Sequence, residues 1–219
     1  MTLPREPMTM ATDYVLAASA VWLGLRLLGR DGAWSRRLWA IAFMVGGATA
    51  ALGGTVHGFP DAFSLRTRGL LWDLIESGIA TTALALLAGT AVATLGGVAL
   101  RLFFLVLVAR AGADLVAGAS GDFIFAIEDG VCALLGVLGF GLYGLLRGRP
   151  EARFLLAGIL VCLGGACVQI GHVVPHRLFN HNDLFHLVVV VGAGLLFQAV
   201  RRFGQEATHR GPGRQADYV

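Results

Sequence analysis

The chain has 219 residues, of which 56% are hydrophobic and 14% are charged, with a formal net charge of +3 and a mean hydropathy of +0.72. A soluble domain averages about 25% charged residues, so this composition excludes an ordinary soluble domain and indicates an integral membrane protein. We therefore expect the lipid bilayer, and no nucleic acid, as the partner of this chain.

Apolar runs long enough to cross the hydrocarbon, which takes about 20 residues, predict seven transmembrane helices. They cover residues 12–29, 38–58, 69–92, 97–118, 123–146, 153–172 and 183–200. The weakest separation lies at residues 94–101, where the sequence is barely polar. The predicted fold is all-α, a seven-helix transmembrane bundle over residues 1–202 followed by a disordered tail over residues 203–219.

The arginines predict how the bundle is oriented, because short cytoplasmic loops carry the excess of positive charge. An outside N-terminus places most loop arginines in the cytoplasm, including Arg36, Arg37, Arg147 and Arg149. We therefore expect the C-terminal tail to be cytoplasmic. The expected location is the inner, or plasma, membrane of a bacterium.

Polar residues within the predicted spans are candidates for a functional site, because ionisable groups are costly inside a membrane. On this topology they all fall in the outer half of the bilayer: His57, Asp73, Glu76, Ser77, Arg110, Asp114, Glu128, Asp129, Gln169, His172, Asp183 and His186. Their common depth predicts one shared polar cavity that opens to the non-cytoplasmic side.

The motif N-H-N-D-L-F-H, from Asn180 to His186, forms one wall of this predicted cavity at the start of the seventh helix. Asp183 and His186 are three residues apart and share a helical face. Either Asn182 or Asp183 is predicted to be the N-cap of the helix. His181 would then lie just before the helix, free to fold back over its end.

Histidines on separate helices at one depth suggest a metal site, because zinc binds imidazole nitrogens and a catalytic zinc keeps one position for water. His172 and His176 are four residues apart, a spacing that would place both on one helical face. Pro175 between them is expected to end the helix and so prevent a helical ligand pair. A single histidine at a helix end is otherwise expected to be a hydrogen-bonded or surface residue.

Three segments carry a resemblance to a known superfamily: G-G-T-V-H-G-F in the second helix, W-D-L-I-E-S-G-I-A in the third, and H-N-D-L-F-H-L-V-V-V-V-G-A-G in the seventh. They resemble the seven-helix membrane hydrolases, which include alkaline ceramidases, progestin and adipoQ receptors and haemolysin-III-like proteins. The resemblance implies a zinc ion with candidate ligands His57, His186, one of His181 or His172, and Asp183.

The resemblance also implies a ceramidase-like activity, the zinc-dependent hydrolysis of a lipid amide or ester. A zinc ion with three protein ligands can lower the pKa of its bound water to about 7. Asp73 is expected to transfer the proton, Ser77 to orient substrate or water, and Glu76 to tune its neighbours. Their spacing of three and four residues places them on one helical face.

Two positions depart from the superfamily pattern. Asn182 stands where the first seventh-helix histidine is expected, and Gly53 stands where the second-helix serine is expected, with Thr55 the nearest hydroxyl. The missing serine favours an alternative, a metal-binding, receptor-like or structural protein without catalysis. A second alternative is a haem-binding or proton-coupled membrane protein, which could also use buried histidines and acids.

The other intramembrane features have simpler interpretations. Arg110 and Asp114 are four residues apart and are predicted to neutralise each other on one helix. Of the adjacent Glu128 and Asp129, only one is expected to face the cavity. Glycine pairs such as 53–54 are predicted to be close contacts between helices, and the three cysteines to be packing residues.

Overall fold

The computed structural model describes residues 4–28, 33–117 and 124–203, without the side chains of residues 114–117 and 124–127. The helices are α1 (Pro7–Leu28), α2 (Trp34–Gly58), α3 (Leu65–Thr94), α4 (Gly97–Ala117), α5 (Ile124–Leu146), α6 (Ala152–Ile170) and α7 (His181–Val200). A short 3-10 turn at Pro60–Ala62 follows α2, and no β-strand forms within the described ranges. The predicted all-α fold is thereby confirmed.

Among the residues that the structure describes, six helices, all except α4, are long and apolar enough to cross a membrane. The sequence of α4 contains three charged residues, Arg101, Arg110 and Asp114, within 21 residues. No other predicted span contains as many. The integral membrane character predicted from composition is therefore supported by six helices.

The same six helices form a closed ring. Neighbours around the ring follow the order α1, α2, α3, α5, α6 and α7, and α7 packs back against α1. Helix α4 lies outside this ring and packs mainly on α3. The closure brings the first and last helices together, so residues from the two ends of the chain become neighbours.

Five helices begin earlier than their apolar runs predict, α2 by four residues and α6 by one. Helix α1 begins at Pro7 instead of residue 12, α3 at Leu65 instead of 69, and α7 at His181 instead of 183. The first turn of α3 contains Arg66, Thr67 and Arg68 and is capped by Ser64, whose hydroxyl accepts the backbone N–H of Thr67 at 3.1 Å. A count of apolar residues misses such turns because capping side chains stabilise them.

The two ends of the bundle differ in chemistry. We call the end where α1, α3, α5 and α7 begin the N-terminal face. Towards the opposite end, a buried apolar cluster includes Leu27, Trp39, Phe43 and Val200. Phe203, the first residue of the predicted tail, is buried against Trp39 with ring centroids 6.5 Å apart. The rest of the tail lies outside the described residues.

Candidate functional site

The buried polar groups of the N-terminal face meet where α1 packs against α7. Thr9 donates its hydroxyl to Asp183 Oδ1 at 2.8 Å. His186 places Nε2 3.2 Å from Asp13 Oδ1 and Nδ1 3.1 Å from Thr12 Oγ1. All five side chains are buried, and we call this set the polar seam.

The hydrogen bonds of His186 can be satisfied in both of its protonation states. A neutral imidazole donates Nε2–H to Asp13 and accepts the Thr12 hydroxyl at Nδ1, since a carboxylate only accepts. An imidazolium donates from Nδ1 to Thr12 Oγ1, and the hydroxyl can then turn to the carbonyl oxygen of Thr9, 3.1 Å away. The seam can therefore gain or lose a proton without losing a hydrogen bond.

Only one of the two carboxylate oxygens of Asp13, Oδ1, contacts His186. Asp13 is 4% exposed, and its Oδ2 atom has no hydrogen-bond partner among the described residues. A buried acceptor left without a partner costs roughly 1–3 kcal/mol. An oxygen held in this way marks the position where a proton, a water or a substrate N–H would be stabilised.

Two glycines of α2 make room for Asp13. A Cβ atom at Gly54 would lie 2.8 Å from Asp13 Cβ and 3.2 Å from the carbonyl oxygen of Met10. A Cβ atom at Gly53 would lie 3.7 Å from both carboxylate oxygens. The predicted close helix contact at this glycine pair is confirmed. The position where the superfamily resemblance expects a serine, Gly53, therefore faces the Asp13 carboxylate.

A second pair of acid and histidine lies beside the seam and is more exposed. His57 Nδ1 is 3.1 Å from Glu6 Oε2, and the side chains are 26% and 49% exposed. Trp72 on α3 packs against His57 with the two rings nearly perpendicular and their centroids 5.8 Å apart. Gly58, the residue after His57, packs against Met10, which lies one turn before Asp13 on α1. We call Glu6, His57, Asp13, Asp183 and His186 the acid–histidine cluster.

The start of α7 is fixed by Asn180, which corrects the predicted cap. Its Oδ1 atom accepts the backbone N–H groups of Asn182 at 2.8 Å and Asp183 at 3.2 Å, and Asp183 Oδ2 accepts the N–H of Asn180 at 2.7 Å. Asn180 is favoured because an acidic side chain three residues later completes a capping box. His181 is consequently the first residue of the helix and does not precede it.

The remaining predicted metal ligands lie where α6 ends and α7 begins. The rings of His172 and His181 are in edge contact, with centroids 4.7 Å apart. Asn182, at the position expected for a histidine, accepts a hydrogen bond from Gln169 at 2.6 Å. Helix α6 ends at Ile170, so His172 and its neighbour His176 do not form a helical pair, as predicted.

The predicted zinc site needs three ligand atoms directed at one point. Among the residues that the structure describes, no three His, Cys, Asp or Glu side chains are arranged to hold a metal ion. Both ring nitrogens of His186 contact α1, and Nδ1 of His57 contacts Glu6. As these side chains lie, they do not fit a zinc ion, and the zinc site stays a prediction.

The three α3 candidates follow Trp72, which contacts His57, but two of the three side chains are exposed. Asp73 and Ser77 are exposed, whereas Glu76 is half-buried. The Ser77 hydroxyl donates to the backbone carbonyl of Asp73 at 2.8 Å. Because the hydroxyl is used within the helix, its role in orienting substrate or water stays a prediction, as do the roles of Asp73 and Glu76.

Arg110 contacts a residue of α5 that was not its predicted partner, and its predicted pairing with Asp114 stays a prediction. Its Nε atom donates to Asp129 Oδ1 at 3.1 Å, and its Nη2 atom also contacts that oxygen. This contact links α4 to α5, while the side chain of Asp114 lies outside the described residues. Asp129 is buried and Glu128 exposed, which confirms that only one of the two faces inward.

Sequence reasoning missed the contribution of α1. Glu6 and Thr9 precede the predicted first span, and Asp13 was only its second residue. The available signal was the spacing of Thr9, Thr12 and Asp13, which are three and four residues apart and share a helical face. A helix can begin a turn before its apolar run. An aspartate at the edge of the run is then inside the helix and is as much a candidate site residue as one in the middle of the run.

Comparison with known proteins gives a family but no function. A profile described as a family of unknown function, DUF6962, matches residues 8–205. No curated protein and no solved structure matches the chain. The matched range contains four of the five residues of the acid–histidine cluster, all except Glu6, and all seven helices except the first residue of α1. The chain therefore belongs to the DUF6962 family.

Proposed function

We propose that this protein is a membrane-embedded hydrolase that cleaves a lipid amide or ester with a water activated by the acid–histidine cluster. The observation that carries the proposal is the buried Asp13–His186 contact of 3.2 Å, with Asp13 Oδ2 left without a partner among the described residues. The resemblance to seven-helix membrane hydrolases supplies the reaction class.

The proposed chemistry places the proton acceptor at Asp13. Oδ2 accepts a proton from water, and the water oxygen attacks the carbonyl carbon of the substrate. His186 holds the other oxygen of the carboxylate through Nε2–H. When the C–N or C–O bond breaks, the proton on Asp13 passes to the leaving amine or alcohol. A positioned acid or base of this kind contributes typically about 10²–10⁴-fold to a rate.

The exposed pair, Glu6 and His57, is assigned to the polar end of the substrate. Both side chains are more exposed than Asp13 and His186, so an incoming molecule meets them first. On the orientation that the arginines indicate, the N-terminal face is non-cytoplasmic. The substrate would then come from the outer leaflet, with its polar end near Glu6 and His57.

A zinc-dependent form of the same hydrolase is the second candidate. It is favoured by the superfamily resemblance and by the contact between two candidate ligands, His172 and His181, whose ring centroids are 4.7 Å apart. Zinc binding by His186 would require that its ring release Thr12 or Asp13. For this reason no step of the proposed reaction is assigned to zinc.

One assay tests the proposal and separates its two forms. Purified protein is incubated with lipid amides and esters, and His186→Ala is compared with His176→Ala, an exposed loop histidine that serves as the matched control. We expect His186→Ala to lose about 10²-fold or more in rate and the control to keep the wild-type rate. Treatment with a chelator should leave wild-type turnover unchanged.

Two results would count against this proposal. Wild-type turnover by a folded His186→Ala protein would remove the cluster from the reaction. Stoichiometric zinc in the wild type that is lost in both His57→Ala and His186→Ala, with activity lost on chelation, would favour the zinc-dependent form.

A further inference from the structure

A shallow apolar groove of about 440 Å³ lies between α1 and α7. It is lined by Ala18, Ser19, Trp22 and Leu23 of α1 and by Val190 and Gly194 of α7. These residues belong to the middle of the two helices, both of which are apolar enough to cross a membrane. The groove therefore lies at a depth where hydrocarbon surrounds the protein.

The groove continues the polar seam along the same two helices. On α7, His186, Val190 and Gly194 follow one another at intervals of four residues and share one helical face. On α1, Ser19 lies seven residues after Thr12, which is two helical turns along the same stripe. The buried contact between Thr12 and His186 thus lies on the same helical stripes of α1 and α7 as the apolar groove, nearer the N-terminal face.

The distance along the helices from the polar seam to the inner end of the groove matches one leaflet of a bilayer. At 1.5 Å per residue, the path from His186 to Gly194 is about 12 Å and the path from Asp13 to Trp22 is about 14 Å. Half of a hydrocarbon core is about 15 Å. A chain that starts at Asp13 and follows the groove would end near the middle of the membrane.

The inner end of the groove is open because of a glycine. A Cβ atom at Gly194 would have no other atom within 4 Å, whereas one at the neighbouring Gly192 would press against Cys162. Trp22 borders the groove and is 56% exposed. A large side chain at position 194 would therefore fill the groove without first disturbing the helix packing.

We propose that this groove binds the acyl chain of the lipid substrate, with the scissile carbonyl at Asp13 and the polar end at Glu6 and His57. The inference rests on the proposed function, and it defines the substrate as an acyl amide or ester with one long chain beside the carbonyl. An acyl chain is the occupant that suits the groove because five of its six lining residues are apolar and it opens within the membrane-spanning part of the helices.

Binding can be tested without turnover by tryptophan fluorescence. The probe is a long-chain primary amide brominated near its methyl end, added to protein in detergent, because bromine quenches a tryptophan that it touches. We expect saturable quenching in the wild type that an unbrominated amide reverses, and its loss in Trp22→Phe. Gly194→Phe should also abolish it. Gly164→Phe on α6, at an exposed glycine with equally open space, should not.

Turnover gives the second readout. Gly194→Phe should lower kcat/KM for a long-chain ester by about tenfold or more relative to a butanoyl ester, since single methylene groups in apolar pockets already give about 10–200-fold. Gly164→Phe should leave that ratio unchanged. Ala18→Phe fills the groove from the α1 side and replaces Gly194→Phe if the latter does not fold.

The outcomes separate the groove from the hydrolase. Hydrolysis with no saturable quenching and an unchanged chain-length ratio in Gly194→Phe and Ala18→Phe would overturn the groove and leave the proposed function. Saturable quenching that depends on Trp22 and Gly194, in a protein that hydrolyses nothing, would support the groove and overturn the proposed function.

Discussion

Asp13 joins three helices through one side chain. It belongs to α1, its Oδ1 atom contacts His186 on α7, and its Cβ atom packs over Gly54 on α2. A residue of this kind serves structure and chemistry together, so removal of the whole side chain cannot distinguish the two. Asparagine keeps the shape and one oxygen while it removes the negative charge, which makes Asp13→Asn the informative substitution.

Asp183 is expected to contribute mainly to stability. Its two oxygens accept from Thr9 and from the backbone of Asn180, so Asp183→Ala removes a buried hydrogen bond and one half of the capping box. We expect a loss of about 1–3 kcal/mol in the free energy of unfolding. Denaturant unfolding in detergent measures it. Asp61→Ala, which breaks the exposed contact with Arg5, should cost at most about 1 kcal/mol.

An Asp183→Ala protein as stable as the wild type would show that neither bond stabilises the fold.

Sequence reasoning could find Asp183 and His186 because they share one short motif and one helical face. It could not pair them with α1, because Thr9 and Asp183 are 174 positions apart in the chain. Nothing in an isolated sequence shows that the first and last helices are neighbours. The partners of a buried carboxylate follow from ring closure, which only the structure provides.

At the scale of helices, close approach of α1 and α2 holds the site together. Gly54→Ala would place a Cβ atom 2.8 Å from Asp13 Cβ and push α1 away. We expect a destabilisation of about 1–3 kcal/mol, as overpacking typically costs, together with a loss of the Asp13–His186 contact. Unfolding experiments in detergent measure the first effect.

The matched control is Gly164→Ala. This glycine lies within a helix, and a Cβ atom there would meet nothing within 4 Å. The change should be neutral or stabilising by up to about 1 kcal/mol, because alanine favours the helix. If both variants were equally stable, the close approach at Gly54 would have no energetic weight.

The helices themselves were predictable, and their ends were not. Long apolar runs are enough to locate α1 to α7, but the first turns of α3 and α7 depend on the caps Ser64 and Asn180. The order of helices around the ring was also beyond the sequence, because a membrane helix is apolar on the side that faces lipid as well as on the side that faces its neighbours. The place of α4 outside the ring is the clearest example.

For the whole molecule, the arginine distribution predicts that the N-terminal face is non-cytoplasmic. A reporter fused after Val219 should be active only if it functions in the cytoplasm, and one fused before Met1 only if it functions outside. Activity on the opposite sides would place the acid–histidine cluster at the cytoplasmic surface. The substrate would then have to come from the inner leaflet.

The measurement that bears most directly on the acid–histidine cluster compares two aspartates in one assay. Asp13→Asn and Asp73→Asn are purified in detergent, checked for folding by thermal unfolding, and assayed for hydrolysis of the same long-chain amide and ester. We predict that Asp13→Asn loses about 10²-fold or more in kcat/KM, while Asp73→Asn, at an exposed position, stays close to the wild type. Wild-type turnover by a folded Asp13→Asn protein, with activity lost in Asp73→Asn, would contradict the assignment and return the proton transfer to α3.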